Sequence, residues 1–397
     1  MDQDLSSIIQ SLCRIGLGNE SVAFRHQVER LKSALESTGH QTDAAAIEKL
    51  LRAAARSSTI QPSRVTVSPA LASGESITER TSVPVDKESG APLAEIVFPG
   101  SENLEMPILE GSVQQAVDSI VNEWNHFDNL RQMGVSPPIS CLLYGLPGTG
   151  KTQIALSIAN NLRLPVVLAR LDGLVSSYLG NTARNIASLF RFANRYRCLF
   201  LLDEFDAIAK VRDDPQEVGE IKRVVNTILQ NIDLRRELGI TIAITNHEQL
   251  LDPAVWRRFQ VRIHIPAPAF GERLKIVAKY FPPVDLTENQ SKFVAWLSDG
   301  MTGADIESMS QNVKRFLATH KGCTLLEALK HNSLTHAGRG DARHRQAILL
   351  PREKLIPMIS KAPELGFIQK DIAQLFGTNQ TMITRLIQKA EAAAIAA

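Results

Sequence analysis

Apolar residues recur at helical spacing through residues 1–55: Leu5, Ile8, Ile9 and Leu12, then Val28, Leu31 and Leu35, then Ala46, Ile47, Leu50 and Leu51. Gly16, Gly18 and Gly39 punctuate them, which predicts a small N-terminal domain of two or three helices that would bind a substrate or partner. Across residues 56–100 the composition shifts to Ser, Thr, Pro, Gly and Glu. Such a stretch buries too little apolar surface to offset its ordering entropy, so a flexible linker is expected there.

The pattern changes again over residues 101–268. Short apolar runs, Ser140–Tyr144, Pro165–Ala169, Cys198–Leu202 and Gly239–Ile244, alternate with helical segments. Continuous apolar strands separated by helices predict an α/β domain with a parallel sheet covered on both faces. Residues 269–350 read as helical, and residues 351–397 as a separate helical module.

Composition narrows the class without naming the chemistry. The chain has 397 residues, 44% hydrophobic and 22% charged, which suits a globular protein of two or three domains. A net charge of +2 gives no bulk argument for nucleic acid or an anionic membrane. Cys13, Cys141, Cys198 and Cys323 form no CxxC pair, so neither a zinc site nor a disulfide framework is expected. The opening MDQDLSS is acidic where a secretory signal would be basic, and no apolar run approaches the ~20 residues of a membrane span. A cytoplasmic protein without a membrane partner is the expectation.

The strongest chemical signal is Gly145-Leu146-Pro147-Gly148-Thr149-Gly150-Lys151-Thr152, which fits G-x-x-x-x-G-K-[ST] between an apolar strand and a helical segment that opens near Gln153. Its glycines let backbone amides curl around a phosphate at the positive end of the following helix. Lys151 would reach the β/γ-phosphates of ATP, and the Thr152 hydroxyl would ligate Mg²⁺. About 50 residues on, Leu199–Leu202 ends in Asp203 and Glu204. In an ATPase with such a loop, the first carboxylate completes the Mg²⁺ shell and the second polarises the attacking water. A strand running into an acidic turn is the bland alternative.

These motifs and those around them resemble the AAA ATPases in the narrow sense, over about Ile108 to Pro282. The resemblance implies a P-loop AAA+ sheet followed by a helical lid. Met133-Gly134-Val135 resembles the segment that cups the adenine, so Gly134 and Val135 are expected nucleotide contacts. Asn246, after Ala243-Ile244-Thr245, stands where the family keeps its sensor-1 Asn. Arg257 and Arg258 resemble the arginine fingers, which act on the neighbouring subunit's nucleotide and so imply a homo-oligomeric ring, usually a hexamer. Here they are adjacent, without the commoner intervening Pro-Gly, which leaves their division of labour open. Gly303 and Ala304 resemble the sensor-2 turn, Ala304 standing where broader relatives carry an Arg. Tyr178-Leu179-Gly180 resembles the pore loop, in which an aromatic ring grips an extended polypeptide by contact area. Gly180 would let that loop pivot ahead of a helix at Thr182–Ala193, and Asp213–Glu217 sits where a second pore loop would lie.

The tail carries its own pattern. Residues 367–390 fit a helix-turn-helix, with Ile372, Phe376, Ile383 and Leu386 between the helices and Gly377 at the turn. Asn379, Gln380, Thr381, Thr384 and Arg385 could then reach duplex DNA. A trihelical module without DNA contact is the alternative, since residues 352–391 hold six Lys or Arg against four Asp or Glu. Two functions are therefore carried forward. One is a ring ATPase that remodels or threads a protein, resembling bacterial ATPases encoded beside protease or effector genes in defence or plasmid maintenance. The other is an ATPase recruited to DNA by its tail.

Overall fold

The computed structural model describes residues 28, 31–32, 35, 40–58, 74–100, 105–171, 179–209, 218–235, 238–335 and 344–395. Two compact units divide the chain, residues 1–72 and 73–397. In the first, helix Gln41–Ser58 buries Ala44 and Ile47 on one face, and Lys32 pairs with Glu48 at 3.4 Å. The expected helix around Leu5–Leu12 lies outside the described residues.

The second unit is built on a six-stranded sheet: β1 (Ala94–Val97), β2 (Ser140–Tyr144), β3 (Val166–Ala169), β4 (Leu199–Leu202), β5 (Thr241–Thr245) and β6 (Val261–His264), in the order β1-β3-β4-β5-β2-β6. All neighbours are parallel except β1, which runs antiparallel to β3. Alternate side chains feed two cores. Leu142, Val167, Phe200, Leu202 and Ala243 face helices Leu179–Ala193 and Val218–Asp233. Cys141, Leu143, Leu199, Leu201 and Ile242 face helices Gly111–Asn125 and Lys151–Asn161. Strands buried on both sides must read as unbroken apolar runs, which is why β2 to β5 were legible.

Residues 74–100 are not the linker that their composition suggested. Ala94–Val97 pairs with β3, Leu93 and Ile77 are buried, and Glu75 pairs with Arg195 at 2.8 Å. Buried Asp86 accepts from Asn185 Nδ2 at 2.8 Å. Four strand residues among Pro, Gly and Ser are too weak a local signal to outweigh composition, and only tertiary pairing reveals them.

The tail is not a separate module either. Ile276, Val277, Phe293 and Trp296 of the lid share one apolar core with Leu355, Ile372, Phe376 and Ile383. Phe293 and Phe376 rings meet at 6.5 Å, and Asn289 donates to Asp371 at 3.0 Å. Helices Gln369–Leu375 and Gln380–Ile395 flank the expected turn, with Gly377 at φ 58°. Asn379, Gln380, Thr381 and Arg385 are exposed, whereas Thr384 is half-buried and donates to Gln369 Oε1.

Candidate nucleotide site

The loop between β2 and helix Lys151–Asn161 is shaped by close approach. A Cβ on Gly145, whose φ is 138°, would run into the Ile265 carbonyl. One on Gly148, at φ 78°, would sit 2.7 Å from Thr302 Oγ1 and 2.9 Å from Ala304 Cβ. Only glycine satisfies both the backbone angle and the space. The lid is seated on this loop: Ala304 N donates to Gly148 O at 3.1 Å, and Thr302 caps helix Gly303–Thr319 reciprocally with Asp305.

A cavity of about 430 Å³ opens beneath the lid. It is lined by Pro147 to Gln153 of the loop and by Asp203, Glu204, Asn246, Gly303 and Ala304, so the sequence-predicted residues of three strand ends and the lid converge on it. Thr152 Oγ1 donates to Asp203 Oδ2 at 2.9 Å, and Glu204 N donates to Asp203 Oδ1 at 2.8 Å. Glu204 has φ 52°, a left-handed backbone that a non-glycine residue holds at a cost of about 1–3 kcal/mol. Asp206 accepts from Thr245 Oγ1 at 2.9 Å and Asn246 N at 3.3 Å, tying the end of β4 to the end of β5.

Lys151 is buried, and its Nζ donates to Gly145 O at 2.9 Å and Leu146 O at 2.6 Å. Burial pushes its pKa down to about 8, against the opposing pull of Asp203, Glu248 and Asp206. The ammonium is therefore parked on carbonyls that a phosphate would replace. Hydroxyl and carboxylate oxygens at Thr152 and Asp203 are the hard donors that Mg²⁺ takes, so the residues fit a magnesium nucleotide.

Gly134 and Val135 are not brought to this cavity. Val135 is exposed and back-bonded to Leu130 O, and Met133 beside Gly134 is also exposed. Residues 133–138 lead into β2 at its first residue, whereas the loop leaves from its last. The wall is made instead by Pro107, Ile108, Leu109, Glu110 and Val113, and by Ile265 to Pro268. The apolar pair Ile108-Leu109 ahead of helix Gly111–Asn125 was the available signal for that wall.

Arg257 and Arg258 do not line the chain's own cavity. Arg258 O accepts from Ser140 Oγ at 3.1 Å, placing it at the first residue of β2, and its Nη1 pairs with Asp233 Oδ2 at 2.5 Å. Arg257 is exposed. Of their chain neighbours, Val255 and Phe259 are buried, and Trp256 meets Tyr144, the last residue of β2, edge-on at 4.9 Å. Tyr178 and Asp213–Glu217 lie outside the described residues. Leu179 and Gly180 open helix Leu179–Ala193, three residues earlier than expected, so Gly180 belongs to a helical turn and not to a pivoting loop.

The sequence profile of the ATPase family associated with various cellular activities (AAA) matches residues 141–267. An uncharacterized AAA family ATPase of Sinorhizobium fredii is 33% identical over 277 residues, 68% of this chain and 79% of that protein. A putative 26S proteasome regulatory subunit homolog of Methanothermobacter marburgensis is 36% identical over 43% of this chain and 47% of its own length. The proteasome-activating nucleotidase of Thermococcus kodakarensis is 31% identical over 52% and 54%. The chain thus spans about half the length of these archaeal relatives. The crystal structure of the FIGL-1 AAA domain superposes with a TM-score of 0.52 at 22% identity, over 64% of this chain and 90% of that one, a likeness of fold. Among the described residues no helix is long and apolar enough to cross a membrane. With a relative matched over four-fifths of its length and the nucleotide loop assembled in the structure, the chain belongs to the AAA family of ATPases.

Proposed function

We propose that this ATPase works as a homo-oligomeric ring, of hexameric size, that remodels or threads a protein substrate. The observation that carries the reading is that Arg257 and Arg258 stand outside the chain's own cavity, Arg257 exposed and Arg258 with its carbonyl bonded at the first residue of β2. Guanidinium groups that do not line their own cavity are free to serve a neighbour's. The names of the archaeal relatives, a proteasome regulatory subunit homolog and a proteasome-activating nucleotidase, support a separate protease as the partner and with it a protein substrate.

At the site, loop amides and Lys151 would hold the β/γ-phosphates, Lys151 exchanging the carbonyls of Gly145 and Leu146 for phosphate oxygens. Pro147, Thr149 and Gln153 complete the loop's contact surface, and Gly303 and Ala304 close it from the lid. Thr152 and Asp203 would hold Mg²⁺, which when bound supplies charge neutralisation for phosphoryl transfer. Glu204 would polarise the attacking water, and Asn246 would orient it. An arginine from the neighbour would stabilise the spreading charge, an effect of ~10³–10⁵ in rate. Tyr178, with Leu179 and Gly180, would provide the grip on substrate. Mixing Arg257→Ala protein with Glu204→Gln protein, each inactive alone, tests the reading: recovered activity, from intact sites served by a neighbour's intact arginine, supports neighbour-to-neighbour action, and no recovery refutes it.

The alternative is recruitment to duplex DNA through residues 367–390. Exposure of Asn379, Gln380, Thr381 and Arg385 at the start of one helix favours it. The near balance of charge and the burial of the tail's other face in the lid core argue for the protein reading. Salt-sensitive duplex binding that disappears on Arg385→Glu would reverse that order.

A further inference from the structure

The lid carries a buried cation that nucleotide chemistry does not use. Arg273, in helix Phe270–Tyr280, is 7% exposed. Its Nε donates to Ala295 O at 2.9 Å, and its Nη1 donates to Pro268 O at 3.0 Å and pairs with Asp299 Oδ1 at 3.0 Å. Pro268 belongs to the cavity wall, and Ala295 to the next lid helix, Glu288–Leu297. One side chain therefore joins the wall of the nucleotide cavity to the body of the lid. Lysine could not reproduce the arrangement, because only the planar fork reaches three acceptors in fixed directions.

Asp299 continues the line. Its second oxygen lies 3.6 Å from His344 Nδ1, too far for a hydrogen bond. The His344 ring stacks on Trp296 at 4.2 Å and 20°. Among the described residues, the buried side-chain polar atoms without a hydrogen-bond partner are His344 Nδ1 and Trp296 Nε1. Native interiors hold few such atoms, and here both belong to two facing rings. A small shift at this seam would let His344 hydrogen-bond Asp299. Beyond it the chain enters segment Arg345–Leu349 and then the C-terminal helices, whose Ile348, Ile356 and Phe376 share a core with Ile276. Ile276 itself lines the cavity.

We infer that Arg273, Asp299 and His344 form a chain of positioning residues tying the nucleotide cavity to the C-terminal helices, so that nucleotide occupancy alters the packing of helices Arg352–Ser360 and Gln369–Leu375. None of the three lines the cavity. They act through the Pro268 wall and the Trp296 seam. Energetic coupling of this kind requires an element with two discrete arrangements, and the unpaired ring nitrogens mark where it lies. The inference needs the cavity to be the nucleotide site, but neither a ring nor a threaded substrate.

The test is hydrogen exchange on the full chain carrying Glu204→Gln, with and without MgATP. ATP should slow exchange in residues 352–360 and 369–375. Adding Asp299→Asn should remove that response while ATP still binds. Arg273→Lys should weaken ATP and ADP by one common factor, on the order of tenfold, because it loosens the wall and not the γ-phosphate contacts. If either variant fails to fold, His344→Phe, which keeps the stacked ring and removes the nitrogen, carries the decision. No ATP response in those helices of the parent, or an undiminished one in Asp299→Asn or His344→Phe, overturns the chain. Loss of fluorescent ADP binding by the parent would instead bring down the cavity assignment, and is read separately.

Discussion

Thr152 and Asp203, 51 residues apart in sequence, are joined by a 2.9 Å hydrogen bond from the threonine hydroxyl to the carboxylate. That bond brings the start of helix Lys151–Asn161 to the end of β4, and it holds the two oxygens a divalent cation would share. Thr152→Ala removes one of them. Affinity for MgATP should fall on the order of tenfold, one charge-assisted contact, while affinity for ATP in EDTA changes little. Equal losses with and without Mg²⁺, measured by calorimetry, would show that Thr152 supports the loop and not the metal.

Lys151 sets a pH dependence. With its pKa lowered to about 8 in the nucleotide-free protein, it loses its proton as pH rises through that value. A bound phosphate favours the charged form, so binding takes up a proton above pH ~8. Affinity for ADP should therefore be flat below that point and fall by nearly tenfold per pH unit above it. Lys151→Ala should bind nucleotide weakly at every pH, without the break.

Glu204→Gln should keep nucleotide binding and lose turnover by ~10²–10⁴-fold, the range for removing a positioned base. Single-turnover kinetics with radiolabelled ATP decide it, and retained hydrolysis would remove Glu204 from that role.

Gly148→Ala places a methyl group where Thr302 and Ala304 already sit. The lid must back away from the loop, so the Kd for ADP should rise at least tenfold with little change in thermal stability. A drop in Tm with unchanged affinity would mean that the lid contact serves folding alone.

Phe376→Ala tests whether the tail is part of the lid. A side chain packed against Phe293 within a shared core should cost about 3–5 kcal/mol on truncation. Denaturant unfolding of the intact chain would then show the lid transition moving, whereas an independent tail would melt without disturbing it.

How much of this was legible beforehand follows the strength of the local signal. The loop Gly145 to Thr152, the pair Asp203-Glu204 and Asn246 are short motifs fixed by the chemistry of a phosphate, and the structure gathers Pro147 to Thr152, Asp203, Glu204 and Asn246 around one cavity. The four central strands are buried on both faces and announce themselves as apolar runs. β1 and β6 lie at the edges, carry four residues each and alternate with polar ones, so neither stood out. Gly134 and Val135 sit close to the loop in sequence but at the wrong end of a strand, a separation that proximity along the chain conceals. The tail's helices were visible from their periodicity, while their fusion to the lid depends on Phe293 and Trp296, far away in sequence.

The antiparallel pairing of Ala94–Val97 with β3 has a practical consequence for anyone isolating the catalytic part of this chain. A fragment cut to begin at residue 101, where the helical and strand pattern starts, would strip that cover and leave the backbone of Val166–Ala169 bare. Naked sheet borders recruit other strands, so such a fragment should clump or pair with itself in ways the intact protein does not. A boundary near Ser73 keeps the border sealed.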